Sequence, residues 1–414
     1  MNFLKRIFHI FEGILAEIIF GFPSKRIKII GVTGTDGKTT TSHLIYHILK
    51  SCDHKPSMIS SIYADTGDTT YDTGFHTTTP RPIAVRKFLK AAVQSRCDYF
   101  ILETTSHALS QGRVWGIPYQ AGVITNVTHE HQLHHKSFDN YLRSKVKLLI
   151  KSKNAYVNKD MQAYKSVRDE LKKRQKSFFT YTTKSVGADF TWPKDLITHL
   201  NGEYNRQNVM AAYSVVSDIG VTDAEFIKAL KSFKLPQGRF DVVYNKSFTV
   251  IIDFAHTPNS VNQILSAVRE NYYKKGKSII HVFGSASERD DSKRPLMGRE
   301  SARLSDKIIL TEEDRRREDI SKIFSEIEKG ILKEKFTYLN DEEFSKTSKK
   351  KIYTKVPNRY DAISLGISVL KPGDIFITTG KSHEKSLNRD GVEEPWDEYD
   401  AVRMALKKYF SINL

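Results

Sequence analysis

The chain has 414 residues, enough for two or three domains with cores of their own. Its 39% hydrophobic and 27% charged content excludes a disordered tail or a membrane-embedded bundle. Two cysteines, Cys52 and Cys97, exclude a disulfide framework or a cysteine zinc site and fit a reducing cytoplasm. A formal net charge of +17 suits nucleic acid, a membrane surface or an anionic substrate. The lysine runs at 172–176 and 349–351 read as solvated faces, however, and no basic stripe is interleaved with aromatics, so nucleic acid is not expected.

The first predicted element is a helix over residues 3–20, where Phe3, Leu4, Ile7, Phe8, Phe11, Ile14, Leu15, Ile18 and Ile19 form a stripe. Lys5, Arg6, Glu12 and Glu17 interrupt it, which argues against a spanning helix, and no small-residue cleavage site follows. The favoured reading packs this helix on the protein's own core. The alternative lays it in a membrane interface.

A short apolar run at Ile27, Ile29, Ile30 and Val32 then feeds a glycine-rich turn, Gly34-Thr35-Asp36-Gly37-Lys38-Thr39-Thr40, and a helical pattern with Leu44, Ile45, Ile48 and Leu49 on one side. Strand, glycine turn, Gly-Lys-Thr and helix is the layout of a phosphate-binding loop. The glycines let backbone N–H groups converge, and the helix N-terminus adds positive potential. In such a loop Lys38 reaches the β- and γ-phosphates and the Thr39 hydroxyl holds Mg²⁺. Position 32 is valine where the standard motif has glycine, so the loop is a variant.

From about Ser24 to Leu235 short apolar runs alternate with helical stretches: strands at 99–102 and 121–124, helices at 82–94, 138–150 and 205–219. That alternation implies a mostly parallel sheet covered on both faces. Leu235-Pro236-Gln237-Gly238 reads as a hinge. A second α/β pattern follows, with strands at 249–253, 278–283, 307–310 and 374–379 and a helix at 261–270; residues 338–351 read as a surface loop or a frayed helix end.

Several groups lie where ligands bind in such sheets, at the carboxyl ends of strands. Glu103 ends one strand and precedes Thr104-Thr105-Ser106-His107; it suits a Mg²⁺ on ATP phosphates or merely caps a loop. His129, His131, His134 and His135 cluster without a standard zinc spacing, so a catalytic loop with one metal-contacting histidine is the better reading. Lys145 sits in an amphipathic helix and nothing in its residue type marks it. Asp253 and His256 sit at a second strand end, and Arg289, Lys293 and Arg294 belong to a segment that reads either as anion-binding or as a solvated charged loop.

Taken in order, these pieces resemble the Mur ligase family, the ATP-dependent amide-forming enzymes of peptidoglycan assembly. The match is carried by Gly34 to Thr39, Thr78-Thr79-Pro80, Glu103 with Ser106-His107-Ala108-Leu109, Thr125-Asn126, Gly202-Glu203-Tyr204-Asn205 with Asn208, Gly238-Arg239, Asp253 to Pro258, Lys293 to Gly298 and Gly380 to Glu384. Within the family it looks most like the branch that adds the third amino acid to a UDP-linked muramyl dipeptide. After the N-terminal amphipathic helix (1–23), the resemblance implies an α/β fold: a central P-loop ATPase-like domain with a mostly parallel sheet (24–236) and a smaller Rossmann-like C-terminal domain (237–414) that closes over ATP.

It also implies roles. Lys38, with Gly34, Thr35, Asp36, Gly37, Thr39 and Thr40, would bind ATP phosphates. Thr39, Glu103, His131 and a carbamylated Lys145 would hold Mg²⁺. Asn158, Asp160, Asn205, Asn208, Arg239 and Asp253 would meet the rest of the nucleotide. Thr78, Thr79, Ser106, His107, Arg113, His256, Arg289, Lys293, Arg294, Arg316 and Glu384 would meet the muropeptide acceptor and the amino acid. A cytoplasmic monomer is expected, with a peripheral membrane contact through residues 3–20 as the alternative for the first helix.

Three departures from the family pattern stand out. The family carries a UDP-binding domain of about a hundred residues, the size of one domain, before the loop; here the loop begins at 31, which leaves UDP recognition open. Its Asp-Asn-Pro-Arg signature for diaminopimelate is Glu313-Asp314-Arg315-Arg316, with Arg316 in register, so diaminopimelate, lysine and another amine all stay open. Its Asp-His pair is Glu130-His131. A folylpolyglutamate-synthase-like ligase and a non-ligating ATP-binding scaffold at a membrane are the other readings.

Overall fold

The computed structural model describes residues 2–72, 78–128, 137–288 and 290–413, and it divides into two compact units, Met1–Pro236 and Gln237–Leu414. The first unit holds strands β1 (Lys28–Thr33), β2 (Pro56–Ile59), β3 (Tyr63–Asp65), β4 (Thr70–Asp72), β5 (Tyr99–Glu103), β6 (Tyr119–Ile124), β7 (Ser152–Asn158) and β8 (Phe179–Tyr181). They form one sheet in the order β4-β3-β2-β5-β1-β6-β7-β8. The strands from β2 to β8 in that order are parallel, and the short β3 and β4 extend the edge antiparallel. The chain-first strand β1 is therefore central, flanked by β5 and β6, with Val32 beside Glu103 and Thr33 beside Ile124.

That register sets the position of everything that follows β1, β5 and β6. Alternate residues of β1 feed different cores, as a period of two requires. Ile30 and Val32 pack with Leu44, Ile45, Ile48 and Leu49 of the helix Lys38–Ser51 and with Val209 and Val216 of the helix Glu203–Ile219. Ile29 packs on the other face with Val85 and Leu89 of the helix Pro82–Gln94 and with Leu148 of the helix Phe138–Lys151. A sheet buried on both sides explains why its strands read as continuous apolar runs.

The second unit repeats the logic with β9 (Asp241–Asn245), β10 (Thr249–Asp253), β11 (Ile279–Phe283), β12 (Lys307–Leu310), β13 (Thr337–Tyr338), β14 (Ile352–Lys355) and β15 (Ile375–Thr379), ordered β13-β14-β12-β11-β15-β10-β9. Only β9 is antiparallel, and a small ribbon of β16 (Ser386–Arg389) and β17 (Val392–Pro395) follows. The fold class is the expected one. Residues 338–351 are neither loop nor frayed end throughout: they include a helix, Asp341–Lys346, started by a capping box between Asn340 and Glu343. Phe344 plugs that helix into the core.

The N-terminal helix, Asn2–Ile19, departs from the favoured expectation in a more consequential way. It is attached to the first unit by its polar side. Glu12 accepts from Arg81 at 3.3 Å, Glu17 accepts from Arg86 at 3.1 Å, and His9 Nδ1 meets the Gln111 carbonyl at 3.1 Å. Gly13 and the buried Ala16 lie on the docked side, Gly13 facing Arg86 and Pro82. The apolar stripe faces outward.

In the second unit a buried cation organises the helix Lys293–Leu304. Arg294 is fully enclosed and donates to Glu318 at 2.7 and 2.9 Å and to Glu326 at 2.6 Å, with Asp291 at 3.3 Å. The hydrogen bonds from Arg294 hold the Glu318 carboxyl well below the ordinary 4.5, at about 2. Because the folded-state value is the lower one, the stabilisation is complete above pH 4.5 and drains away as pH falls toward 2. Glu318→Gln is expected to lower unfolding free energy by about 2–3 kcal/mol near neutral pH. In urea titrations the gap from the parent should close as pH falls from 4.5 toward 2; a gap independent of pH would refute the account.

Candidate functional site

The loop between β1 and the helix Lys38–Ser51 is built by steric exclusion as much as by attraction. A Cβ on Gly34 would lie 1.8 Å from Thr125 Oγ1, and one on Gly37 would lie 2.1 Å from Asn208 Oδ1. Gly37 also has φ of 79°, the left-handed region that glycine tolerates best. With both side chains absent, the loop closes onto the end of β6. Asn126 Oδ1 accepts the amide hydrogens of Thr35 at 3.1 Å and Asp36 at 2.9 Å, and the Asn126 carbonyl also accepts from Thr35 N at 2.9 Å. Thr125 Oγ1 donates to the Asp36 carbonyl at 2.6 Å. Thr35 Oγ1 meets the Tyr141 hydroxyl at 3.0 Å and accepts from Thr128 N at 3.1 Å.

Charged groups converge on this frame. Lys38 Nζ donates to the Thr35 carbonyl at 2.8 Å, which lays its ammonium over the loop. Thr39 Oγ1 donates to Glu103 Oε1 at 3.0 Å. The buried Glu103 carboxylate also accepts from Ser61 N at 2.9 Å and Ser61 Oγ at 3.0 Å. Lys145, almost wholly buried, donates to the Gly34 carbonyl at 2.5 Å and stands 4.4 Å from the Tyr141 ring centroid. A lysine that looked ordinary in its helix is thus wedged under the glycine loop.

Around the rim, Ser61 Oγ also meets the Thr78 hydroxyl at 3.0 Å, accepting its hydrogen when its own is on Glu103, and Thr79 Oγ1 donates to the Glu103 carbonyl at 2.9 Å. Arg113 donates to the Thr79 carbonyl at 3.0 Å. Ser106 and His107 open the short helix Ser106–Gln111, whose cap is Thr105. Asn158 donates to the Thr125 carbonyl at 2.8 Å, and Asn208 donates to Asn205 Oδ1 at 3.3 Å. Asp160 is turned to its own neighbours, accepting from Thr182 Oγ1 and Thr183 N at 2.8 Å each. Thr40 is buried in the first turn of the helix. His131 lies outside the described residues, as do His129, Glu130, His134 and His135.

The second unit holds its own candidate residues. Asp253, at the end of β10, accepts from Phe240 N and Ala255 N at 2.7 Å each, so its carboxylate pins the backbone around Arg239, whose guanidinium lies 4.5 Å from the Phe254 ring centroid. Lys293 Nζ donates to the His256 carbonyl at 2.6 Å. Lys381, fully enclosed, donates to Asp314 at 2.8 Å and Glu384 at 2.5 Å. Burial works against its charge, but Glu384 and Asp314 outweigh burial and hold its ammonium above the ordinary lysine value. Burial in turn raises Glu313 above the ordinary carboxyl value. Arg316 donates to Glu288 at 3.0 Å. Arg294, expected to meet substrate, is instead the cation sealed among Glu318, Glu326 and Asp291; with no exposed surface it serves packing. Arg289 lies outside the described residues.

Comparison with known proteins decides the family. Residues 32–216 match the Mur ligase middle domain, and residues 238–382 match the Mur ligase glutamate ligase domain. The chain belongs to the Mur ligase family. This ligase is 34% identical over 412 residues to the UDP-N-acetylmuramoyl-L-alanyl-D-glutamate–2,6-diaminopimelate ligase of Aquifex aeolicus, spanning 95% of this chain and 80% of that one. It is 33% identical over 424 residues to the UDP-N-acetylmuramyl-tripeptide synthetase of Borrelia garinii, spanning 96% and 80%. Among solved structures, Mycobacterium tuberculosis folylpolyglutamate synthase complexed with ADP and AMPPCP shares the fold: TM-score 0.68, 12% identity, covering 89% of this chain and 91% of that one.

Ser61 and Tyr141 carry no mark in the sequence, and Lys381 is marked only as part of the Gly380–Glu384 match with no role of its own, although each touches a predicted residue. Ser61 follows the short β2 with no motif around it, and Tyr141 looks like any core aromatic. Asn126 had a signal, its place beside Thr125 directly after a strand. Asn126→Ala strips an acceptor from two loop amides and should cost about 2 kcal/mol of stability. Asn126→Asp keeps the acceptor and should retain most of it. Urea denaturation of both variants checks this, and equal losses would count against the account.

Proposed function

We propose that this Mur ligase uses ATP to join an amino acid to a muropeptide carboxylate during peptidoglycan precursor synthesis in the cytoplasm. The observation that carries the reading is the convergence of Lys38, Thr39, Glu103 and Lys145 on one glycine loop in a chain of this family. Relatives named as diaminopimelate ligases support the acceptor class.

A carboxylate is a poor acyl donor, and its approach to a triphosphate is repelled by like charge. Lys38 sits where its ammonium offsets that charge at the β- and γ-phosphates, while the loop amides orient the chain of phosphates. A carboxylate oxygen attacks the γ-phosphorus, the bond to the β-phosphate oxygen breaks, and ADP departs. The amine of the incoming amino acid then attacks the acyl carbon. A tetrahedral intermediate collapses with loss of phosphate, and the amine's proton passes to solvent.

The donor set fits Mg²⁺. Thr39 and Glu103 supply hard oxygen atoms 3.0 Å apart in a buried pocket, the ligand type and spacing such a cation takes. An Mg²⁺ held there would neutralise charge developing on the transferred phosphoryl group. Thr39 and Glu103 are the residues of this chain that would hold it. Lys145 would contribute after carbamylation, which turns its cation into an anionic oxygen donor. Choice of amino acid falls to the residues around Arg316, Asp314 and Glu384.

Two measurements test the reading. Lys38→Ala should lose ADP release that depends on both acceptor and amino acid by at least about a thousandfold, the scale of a phosphate clamp. An acceptor panel crossing UDP-linked muropeptide, UDP-free muropeptide and pteroyl glutamate identifies the class; turnover with pteroyl glutamate alone, or tight ATP binding without turnover on any acceptor, would sink it. For Lys145, ¹³C NMR in labelled bicarbonate should show a carbamate resonance that Lys145→Arg lacks. Identical spectra would remove the carbamate from the scheme.

A further inference from the structure

The helix Asn2–Ile19 is turned inside out relative to a helix of a water-soluble core. Its two carboxylates, Glu12 and Glu17, face inward onto Arg81 and Arg86. Leu4, Ile7, Phe8, Phe11, Ile14, Leu15, Ile18 and Ile19 are all exposed, Leu4 at 72% and Phe11 at 66%. At 100° per residue these eight fall within one continuous arc of less than half the helix circumference, roughly 140°. Phe22, Ile83 and Trp115, also exposed, lie next in chain or in contact with the same docking residues and extend the surface. A patch of this kind marks an interaction surface.

Charge indicates what covers it. The exposed cations Lys5, Arg6, Lys25, Arg26, Lys87 and Lys90 border the helix, and none pairs with a carboxylate among the described residues. Lys25 lies 5.2 Å from the ring centroid of the exposed Phe22, at the edge of the apolar face, and Lys90 lies 5.6 Å from that of Phe20, just past the helix end. Glu12 and Glu17 are the only carboxylates from residue 1 to 35. An apolar stripe rimmed by cations is the complement of an anionic lipid surface. A second copy of the chain would bring two cationic rims together, which like-charge repulsion disfavours. No helix among the described residues is long and apolar enough to cross a membrane, so contact would be parallel to the surface.

We propose that this helix is a peripheral membrane anchor that lies along a bilayer containing anionic lipid, with Ile7, Phe11 and Ile18 among the acyl chains and Lys5, Arg6, Lys25 and Lys90 at the phosphates. The ion pairs of Glu12 and Glu17 set its orientation and thereby fix how the first unit meets the surface.

The test uses the full chain in sedimentation with vesicles of phosphatidylcholine containing about one third phosphatidylglycerol, an anionic fraction suited to cationic rims. Binding should exceed that to pure phosphatidylcholine and weaken with salt. Phe11→Asp with Ile18→Asp should reduce it at least about tenfold, with unchanged melting temperature because both side chains are already exposed. Lys5→Glu with Arg6→Glu should reduce binding to the anionic vesicles alone. Absence of binding by the parent chain, or binding retained by the Phe11/Ile18 variant, overturns the proposal. So does concentration-dependent self-association without vesicle binding, which would assign the face to a second copy. None of these readouts depends on ligase chemistry.

Discussion

The amide oxygen of Asn126 holds two backbone N–H groups of the glycine loop, and much of the first unit exists to keep that oxygen in place. It can do so because β1 and β6 are parallel neighbours in register, Thr33 beside Ile124, so that their ends are level. A loop that curls around phosphate must hold its N–H groups in a strained curve without the ladder bonds of a strand. The Thr35 and Asp36 N–H groups are satisfied here by Asn126, just after the next strand, while Thr125 holds the Asp36 carbonyl and Tyr141 the Thr35 hydroxyl. The same alignment brings Glu103, at the end of the strand on the other side, within reach of Thr39. The chemistry gathers where it does because three parallel strands stop at one level.

The second unit solves a different problem. Three of its buried cations are enclosed by opposite charge: Arg294 by Glu318 and Glu326, Arg359 by Glu398, Lys381 by Asp314 and Glu384. Such pairs are expensive to desolvate and costly to break singly, so they hold one arrangement rather than raise stability outright. Lys381 and its two acids join the stretch around Asp314 to the stretch around Glu384, the two places proposed above for amino-acid selection. On that proposal, a change of amine specificity in this chain would call for compensating changes in both.

Much of this was legible beforehand. The helix Pro82–Gln94 and the strands β10 and β12 stand at the predicted boundaries because a buried strand or an amphipathic helix leaves an unambiguous apolar period. β7, Ser152–Asn158, was not anticipated: four of its seven residues, Ser152, Lys153, Asn154 and Asn158, are polar, and β6 and β8 offer it backbone partners. The glycine loop announced itself by residue type, but the placement of Lys145 did not, since a helix lysine carries no mark of what lies above it. Arg294 misled for the complementary reason. A basic segment looks the same in sequence whether its charge meets a ligand or a buried glutamate. The N-terminal helix was correct in existence and wrong in orientation, because periodicity identifies an apolar face without saying which way it turns, and two glutamates paired with Arg81 and Arg86 decided that.

Gly37 touches the matter of how such a loop can move. Its missing side chain leaves room for Asn208, which belongs to the helix Glu203–Ile219, a segment remote in sequence from the loop. The carboxamide of that asparagine occupies the space a methyl group would fill. The glycine turn consequently has no slack of its own: a displacement of its backbone toward that helix is blocked at van der Waals contact, and a displacement away opens a void. Loop and helix are mechanically one piece, so the loop is better described as a rigid cradle, stiffened from behind, than as a flexible flap.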